Sequence, residues 1–129
     1  MVKAPDGTVI TAEIAATRPD RETGLMHRTT LARNTGMLFV FPADSPYPFW
    51  MKDTLIPLDM VWMDAGKRVI YVEKNAAPCP AIRLQCPSFG PSEPARYVLE
   101  ISAGTADRLG IKPGASLSFQ IPATVKVTN

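Results

Sequence analysis

A proline-rich segment in the second half of the chain most limits what this sequence can form. Five prolines and both cysteines fall between Asn75 and Pro94. Proline fixes φ and lacks a backbone N–H, so regular helices and central strands are excluded across most of the segment. The part that follows it is too short to fold alone. We therefore predict a long surface excursion from one compact domain, and a loop of this length is typically functional or disordered.

Much of the remaining chain has the short apolar patterns of β-strands. Apolar and polar residues alternate over residues 10–16 and again over residues 117–121, which predicts strands with one buried face. A continuous apolar run over residues 37–41 predicts a strand buried on both faces. Residues 58–74 predict a hairpin whose turn contains Gly66, a residue able to take a positive φ.

Helices are predicted to be short and few. One is expected to begin near Thr17, ahead of a proline and acidic residues, and to end by Gly24. A second is expected over residues 103–109, with Gly110 after its last turn. The expected fold is mainly β: a small antiparallel β-sandwich or barrel with one or two short helices. Residues 1–129 are expected to form a single domain.

Charge and hydropathy argue against two classes of partner. The chain has 14 basic and 12 acidic residues, a net charge of +2, and no run of Lys or Arg. Nucleic-acid binding therefore lacks its usual electrostatic footprint. No apolar run approaches the length of a membrane span. We predict no nucleic-acid partner, no transmembrane span and a monomer.

Residues 49–59, FWMKDTLIPLD, combine two large aromatic side chains with an ammonium, two carboxylates and a hydroxyl. A solvated loop rarely has such aromatics, and a core strand rarely has such charges. The mixture predicts a half-buried element that holds polar groups against an apolar wall, as a binding cleft requires. A structural charge network would produce the same pattern. Trp50 is the aromatic residue expected to be partly exposed, because polar residues follow it.

Two carboxylates of this stretch, Asp53 and Asp59, flank Pro57 and could approach one cleft. Two carboxyl groups at a suitable separation hydrolyse glycosides or hold a divalent cation. The alternative is a structural ion pair between Asp59 and Lys52 or Arg28. We favour this alternative, because an unpaired carboxylate between apolar residues is costly.

Arg21 and Arg28 offer planar guanidinium groups that suit a ligand carboxylate or phosphate. Alternatively, they pin the first helix to the sheet through Asp59 or Glu100. The single histidine, His27, is expected to be a surface or capping residue. No Gly-x-Ser-x-Gly motif or glycine-rich phosphate loop occurs. We predict no catalytic residues, no metal site and no cofactor.

The two cysteines, Cys79 and Cys86, both lie in the proline-rich segment and both neighbour a proline. Their spacing is not Cys-x-x-Cys, and two thiols with one distant histidine do not form a zinc site. A disulfide that closes this loop is therefore predicted, provided that the compartment is oxidising. The alternative is two unlinked thiols in a flexible loop.

The ordered set of short blocks along the chain resembles the uncharacterised domain-of-unknown-function family 192 (DUF192, the UPF 0127 group). The blocks extend over most of the chain and are found at residues 21–28, 36–41, 49–59, 97–100 and 103–104. Two positions depart from the family pattern: Asp53 stands where Asn is common, and Trp62 stands where Phe is common. The resemblance implies a small β-rich fold, often an exported location, and no established activity.

The N-terminus has no signal-peptide pattern. This fits a cytoplasmic protein, or a mature exported segment with an added initiator Met, and the resemblance favours the second. Our leading hypothesis is a non-enzymatic, periplasmic or secreted domain that binds a small molecule or an envelope protein. The alternatives are a hydrolase of cell-envelope carbohydrate acting through Asp53 and Asp59, and a structural accessory domain that binds a protein through the Pro/Cys loop. The predicted ligand-binding residues are Arg21, Met26, Arg28, Trp50, Lys52, Asp53, Thr54, Asp59 and Glu100.

Overall fold

The structure, a computed structural model, describes all of residues 1–129. It is mainly β with two short helices, as the sequence predicts. In chain order the elements are β1 (Val2–Lys3), β2 (Val9–Ala15), α1 (Arg18–Thr23), β3 (Thr35–Ser45), β4 (Phe49–Trp50), β5 (Leu58–Met63), β6 (Val69–Ala76), β7 (Ser88–Phe89), β8 (Ala95–Ser102) and α2 (Thr105–Leu109). Neither helix is long and apolar enough to cross a bilayer.

A curled six-stranded sheet in the order β1-β2-β3-β8-β5-β6 forms the frame of the molecule. Its strands pair antiparallel except β2 and β3, which run parallel because α1 lies in the connection between them. The last strand in the chain, β8, lies in the middle of the sheet between β3 and β5. A second sheet contains only β4 and β7, with Phe49 opposite Phe89.

The helix ends follow the local signals in the sequence. Thr17 caps α1, and its hydroxyl accepts a hydrogen bond from the Asp20 amide at 3.3 Å. Gly24 ends α1 with φ of 48°, and Gly110 ends α2 in the left-handed region with φ of 72°. In the hairpin turn, however, Lys67 takes the positive φ and Gly66 does not.

The predicted final strand over residues 117–121 is wrong. Leu117 and Phe119 are buried, so the alternation is real, but their segment makes only isolated bridges, from Ser116 to Arg68 and from Ser118 to Lys3. These two partners lie at opposite edges of the six-stranded sheet, beside β6 and in β1. The segment therefore joins the two edges instead of extending a ladder, and it covers strand edges that would otherwise stay unpaired.

Each face of the sheet carries its own apolar core. The α2-side core includes Leu38, Val40, Leu99, Ile101 and the α2 residues Ala106 and Leu109. The disulfide-side core includes Met37, Phe39, Met60, Trp62, Val98 and Cys79. Successive residues of β3, β5 and β8 alternate between the two cores, so these strands are buried on both faces, as predicted for residues 37–41.

Gly36 of β3 pairs with Ile101 of β8 and leaves no room for a side chain. A Cβ atom at this position would stand 2.3 Å from the Glu100 carbonyl oxygen and 2.9 Å from the Ile101 Cγ2 atom. We expect Gly36→Ala to lower the free energy of unfolding by about 2 kcal/mol, because the two strands must move apart. Denaturant unfolding followed by circular dichroism measures this loss. Gly66→Ala, in the exposed hairpin turn, is the matched control, and equal losses at both positions would contradict the close-approach argument.

Candidate functional site

A cavity of about 490 Å³ opens on the disulfide-side face of the sheet. Its lining comes from α1 and the residues after it, from the second half of β3, from residues 47–54, and from Glu100 of β8. The volume falls within the range of small-molecule sites. The aromatic-and-charged stretch singled out in the sequence therefore forms one wall of this cavity.

Aromatic side chains form most of the apolar lining. Phe41 and Tyr47 are stacked with ring centroids 3.6 Å apart. Phe49 meets the ring of Phe39 edge-on at 4.9 Å and that of Phe41 at 6.2 Å. Trp50 lies at the mouth and keeps 48% of its surface exposed, as its polar neighbours predict. These rings support one another and provide flat surfaces for a planar or bulky apolar ligand.

Backbone hydrogen bonds fix the wall that carries Trp50. The Asp53 amide donates to the Cys79 carbonyl at 2.9 Å, and the Cys79 amide donates to the Met51 carbonyl at 3.3 Å. On the other side, the His27 amide donates to the Asp53 carbonyl at 2.9 Å. Met51 is fully buried beneath this wall. The wall is thus held both to the proline-rich excursion and to the segment after α1.

Arg21 lines the cavity, but its guanidinium is occupied by the protein. It donates to the backbone carbonyls of Ala16, Val40 and Thr128, the Val40 bond being 3.0 Å long. It also lies over the Phe41 ring, 5.0 Å from the centroid. Arg21 therefore ties the end of β2 to β3 and to the C-terminal segment, and it keeps a positive charge beside the aromatic wall.

Lys52 is the cation at the mouth that has no ion-pair partner. Its ammonium lies 5.2 Å from the centroid of the Trp50 ring. Two other charged side chains at the rim, Arg18 and Glu22, form an ion pair 3.0 Å long on the surface of α1, so their charges balance each other. Lys52 therefore remains available to an anionic or polar group of a ligand.

Glu100 is the buried acid of the cavity. It is only 5% exposed, and the residues paired with it on the neighbouring strands are Met37 and Met60. No hydrogen bond or ion pair from the protein reaches its carboxyl group, and burial alone raises its pKa to about 8. Burial therefore favours the protonated, neutral form of this carboxyl group, which lines the aromatic cavity.

Six of the nine residues predicted as ligand-binding line the cavity: Arg21, Met26, Trp50, Lys52, Thr54 and Glu100. Arg28 lies outside and pairs with Glu13, one of its nitrogens standing 3.0 Å from the carboxylate. That hydrogen-bonded pair lowers the pKa of Glu13 and raises the pKa of Arg28. Asp53 and Asp59 also lie outside the lining.

Asp59 belongs to the opposite face of the sheet. Its neighbours Leu58 and Met60 belong to the disulfide-side core, so alternation along β5 directs Asp59 toward α2. There its carboxylate accepts hydrogen bonds from the amides of Asn75 at 2.8 Å, Gly104 at 3.0 Å and Ala106 at 2.9 Å. Asp59 of β5 thus caps the N-terminus of α2. It also binds the amide of Asn75 in β6, whose backbone lies in the left-handed region.

The sequence model of the DUF192 family, described as an uncharacterised ACR, matches residues 1–119. The chain belongs to the DUF192 family. Two solved structures are similar to this DUF192 chain. A protein of unknown function from Novosphingobium aromaticivorans is 34% identical with a TM-score of 0.80, and the match covers 92% of this chain and 81% of that one. A protein from Sinorhizobium meliloti, described as a candidate transcription regulator, is 36% identical with a TM-score of 0.80, and the match covers 91% of this chain and 88% of that one. None of the curated proteins compared with this chain matches it.

The ligand-binding residues predicted from the sequence of this DUF192 chain do not include the aromatic residues of β3. Residues 37–41 are apolar without interruption, so the pattern indicates burial but does not show that Phe39 and Phe41 line a cavity. A partial signal exists in Gly24, where a Cβ would stand 3.1 Å from the Phe39 ring. A glycine that packs against an aromatic ring indicates a crowded site. The contact between Gly24 and Phe39 is visible only in the structure, so the sequence alone does not reveal this signal.

The predicted disulfide between Cys79 and Cys86 is present, with the two Cα atoms 5.9 Å apart. It closes a short loop of the proline-rich excursion beside the cavity wall. We expect the double variant Cys79→Ala/Cys86→Ala to lose about 2.5 kcal/mol of unfolding free energy, from the added chain entropy of the unfolded state. Thermal unfolding with and without a reductant measures the loss. The reductant should destabilise the wild type and leave the double variant unchanged, and the reverse pattern would contradict a structural disulfide.

Asp53 combines a left-handed backbone with a buried, unpartnered oxygen. Its φ is 55°, and its Oδ1 atom has no hydrogen-bond partner. We expect Asp53→Asn to raise the free energy of unfolding by about 1 kcal/mol, because Asn tolerates this backbone and brings no charge. Differential scanning calorimetry measures the change, and Asp53→Ala should instead destabilise. A loss of stability on Asp53→Asn would contradict this expectation and would show that the Asp53 carboxylate has a stabilising partner in solution.

Proposed function

We propose that this protein is a non-enzymatic binding domain that takes a small molecule in the aromatic cavity. The observation that carries the proposal is the cavity itself. It has the volume of a ligand site, an aromatic lining, a cation at its mouth without an ion-pair partner, and a buried acid without a protein partner. A plain core would leave neither a cavity of this size nor a buried carboxyl group without a hydrogen-bond partner.

A thermal-shift screen tests this proposal. The panel holds aromatic acids, amides and amines, sugars, cell-wall fragments, nucleotides and divalent metals. A ligand at about a hundredfold its dissociation constant stabilises a protein by about 2.7 kcal/mol, which is several degrees in a domain of this size. Trp50→Ala should abolish the shift, whereas Leu55→Ala should not, because Leu55 is equally exposed at 45% but lies outside the cavity. A flat panel, with Trp50→Ala merely less stable, would contradict the proposal.

We propose that the domain acts outside the cytoplasm, in the periplasm or as a secreted protein. The Cys79–Cys86 disulfide supports this location, since such bonds persist in oxidising compartments. Alkylation of the protein taken directly from its native cells tests the location. Protection of both cysteines until reduction is the expected result, and two freely alkylated thiols would contradict it.

A second candidate function is contact with an envelope protein through the disulfide-closed loop. Its support is the exposure of two large apolar residues on that loop, Ile82 at 88% and Leu84 fully exposed. A photo-crosslinking amino acid at position 82 in the native host should give an adduct that Leu84→Ser removes. The same probe at the exposed Lys112 is the control, and identical adducts at both positions would reject this function.

No observation favours a hydrolase that acts through Asp53 and Asp59. The Asp59 carboxylate accepts hydrogen bonds from three backbone amides, on the face of the sheet away from the cavity. The regulatory role named for the Sinorhizobium meliloti protein has no independent support in this chain. The chain has a net charge of +2 and no run of Lys or Arg, the sequence feature that commonly accompanies nucleic-acid binding.

A further inference from the structure

The cavity has an unusual combination of a buried acid and an excess of positive charge at the rim. Glu100 is 95% buried, lines the cavity, and lies between Met37 and Met60 on the central strands. Neither neighbouring methionine can donate a hydrogen bond to it. The carboxyl group therefore has no hydrogen-bond or ion-pair partner in the protein, and Glu100 lines the space that a ligand would occupy.

Besides Glu100, the charged and titratable side chains that line the cavity are Arg18, Arg21 and Glu22 of α1, Tyr47 between β3 and β4, and Lys52 after β4. The neutral side chain of Asn129 also belongs to the lining. Arg18 and Glu22 pair with each other, which leaves Arg21 and Lys52 as unbalanced positive charges. This excess disfavours a cationic ligand and favours one that brings oxygen acceptors.

We propose that Glu100, as the neutral carboxylic acid, donates a hydrogen bond to a carbonyl or carboxylate oxygen of an aromatic ligand held between Phe41, Phe49 and Trp50. This proposal rests on the proposed function and specifies the ligand class for the same cavity. The aromatic rings contact the flat body of the ligand, and Lys52 lies at the mouth where a second oxygen can reach it. A buried acid that stays protonated at neutral pH can act as such a donor.

The alternative for the same residues is recognition of an amine. In that arrangement Glu100 would ionise on binding, and the aromatic rings would surround an ammonium group through cation–π contacts. Arg21 and Lys52 argue against this arrangement, because each adds a positive charge beside the incoming ammonium. The two arrangements predict opposite preferences for ligands of nearly the same shape, so they are separable by experiment.

Calorimetric titration with three probes of similar shape tests the proposal: phenylacetamide, phenylacetate and phenethylamine. Near pH 6 the amide and the carboxylate should bind at least about tenfold more tightly than the amine.

The amide carries no charge at any pH used, so the pH dependence of its affinity reports on the protonation state of Glu100. Its affinity should fall about tenfold between pH 6 and pH 9.5, as Glu100 ionises and loses its donor. Binding of both phenylacetamide and phenylacetate would show that a carbonyl oxygen is sufficient, as the proposal expects. Binding of phenylacetate alone would indicate attraction to the positive charges at the rim without a hydrogen bond from Glu100, and it would overturn the proposal.

Two variants at one position provide the controls. Glu100→Gln keeps an N–H donor and should bind phenylacetamide with no pH dependence over the same range. Glu100→Leu keeps the apolar volume but has no donor, and it should lose about tenfold in affinity at pH 6. Infrared spectroscopy should also detect a protonated carboxyl band near pH 6.5 in the wild type that is missing from Glu100→Gln. Absence of this band would overturn the proposal without involving any ligand.

The outcomes separate this proposal from the proposed function. Tighter binding of phenethylamine would overturn the acceptor-recognition proposal and leave the cavity as a binding site. Failure of all three probes, with a Trp50-dependent shift from another compound in the wider panel, would also overturn the ligand class alone. Failure of the probes and of the wider panel would remove both.

Discussion

Replacing Asp59 with alanine is expected to lower the free energy of unfolding by about 4 kcal/mol. The variant leaves three backbone amides, those of Asn75, Gly104 and Ala106, without their acceptor. Two of these amides belong to the start of α2, so the helix also loses its only side-chain cap. Denaturant titration followed by circular dichroism measures the loss.

Asp64→Ala is the matched control. Asp64 also accepts two backbone amides, from Gly66 at 2.9 Å and Arg68 at 3.0 Å, but it does so in an exposed turn where water can replace it. We expect its loss to be at most about 1 kcal/mol. Asp59→Asn, which keeps one acceptor oxygen, should fall between the two alanine variants. An Asp59→Ala variant as stable as Asp64→Ala would show that burial does not determine the cost.

Glu100→Gln is expected to remove a large pH dependence of stability. The pKa of Glu100 is raised by burial from 4.5 to about 8, so the folded protein keeps a proton that the unfolded chain releases. The stabilisation is fully present below the unfolded pKa, decreases as pH rises above it, and is lost once pH passes the folded pKa. Between about pH 5 and about pH 7.5 the wild type should lose about 3 kcal/mol more than Glu100→Gln. Unfolding at a series of pH values measures the difference.

Glu93→Gln is the control for this pH effect. Glu93 is an exposed glutamate outside the cavity, and its substitution should leave the pH dependence of unfolding unchanged. Equal slopes for the wild type and Glu100→Gln would show that Glu100 is already ionised at neutral pH. That result would also remove the donor on which the proposed ligand recognition depends.

The local elements were predictable because their signals are local. Thr17 and Gly24 delimit α1, and the turn after Met63 produces the β5–β6 hairpin. The parallel pairing of β2 with β3 was not predictable, because strand direction depends on the path of the intervening segment. Residues 117–121 alternate as a strand does, yet a ladder also needs a continuous partner. The partner of this segment changes from Arg68, opposite Ser116, to Lys3, opposite Ser118.

The site was predictable in its chemistry but not in its geometry. The mixture around Trp50 and Lys52 indicated a polar group against an apolar wall, and both residues line the cavity. Asp59 is seven positions beyond Lys52, and Pro57 interrupts the strand pattern between them. Counting residues along the sequence therefore does not show toward which face of the sheet Asp59 points. It depends on where β5 begins.

The two tryptophans of this chain occupy opposite environments, which makes the protein its own optical reporter. Trp62 is wholly buried, and its indole nitrogen donates to the Tyr47 carbonyl at 2.8 Å. Trp50 stands half in solvent at the mouth of the cavity. Their fluorescence should therefore separate into a short-wavelength emission from Trp62 and a longer-wavelength, quencher-accessible emission from Trp50. A compound entering the cavity would contact Trp50 directly and change the second emission, so occupancy is readable without a label or a substitution.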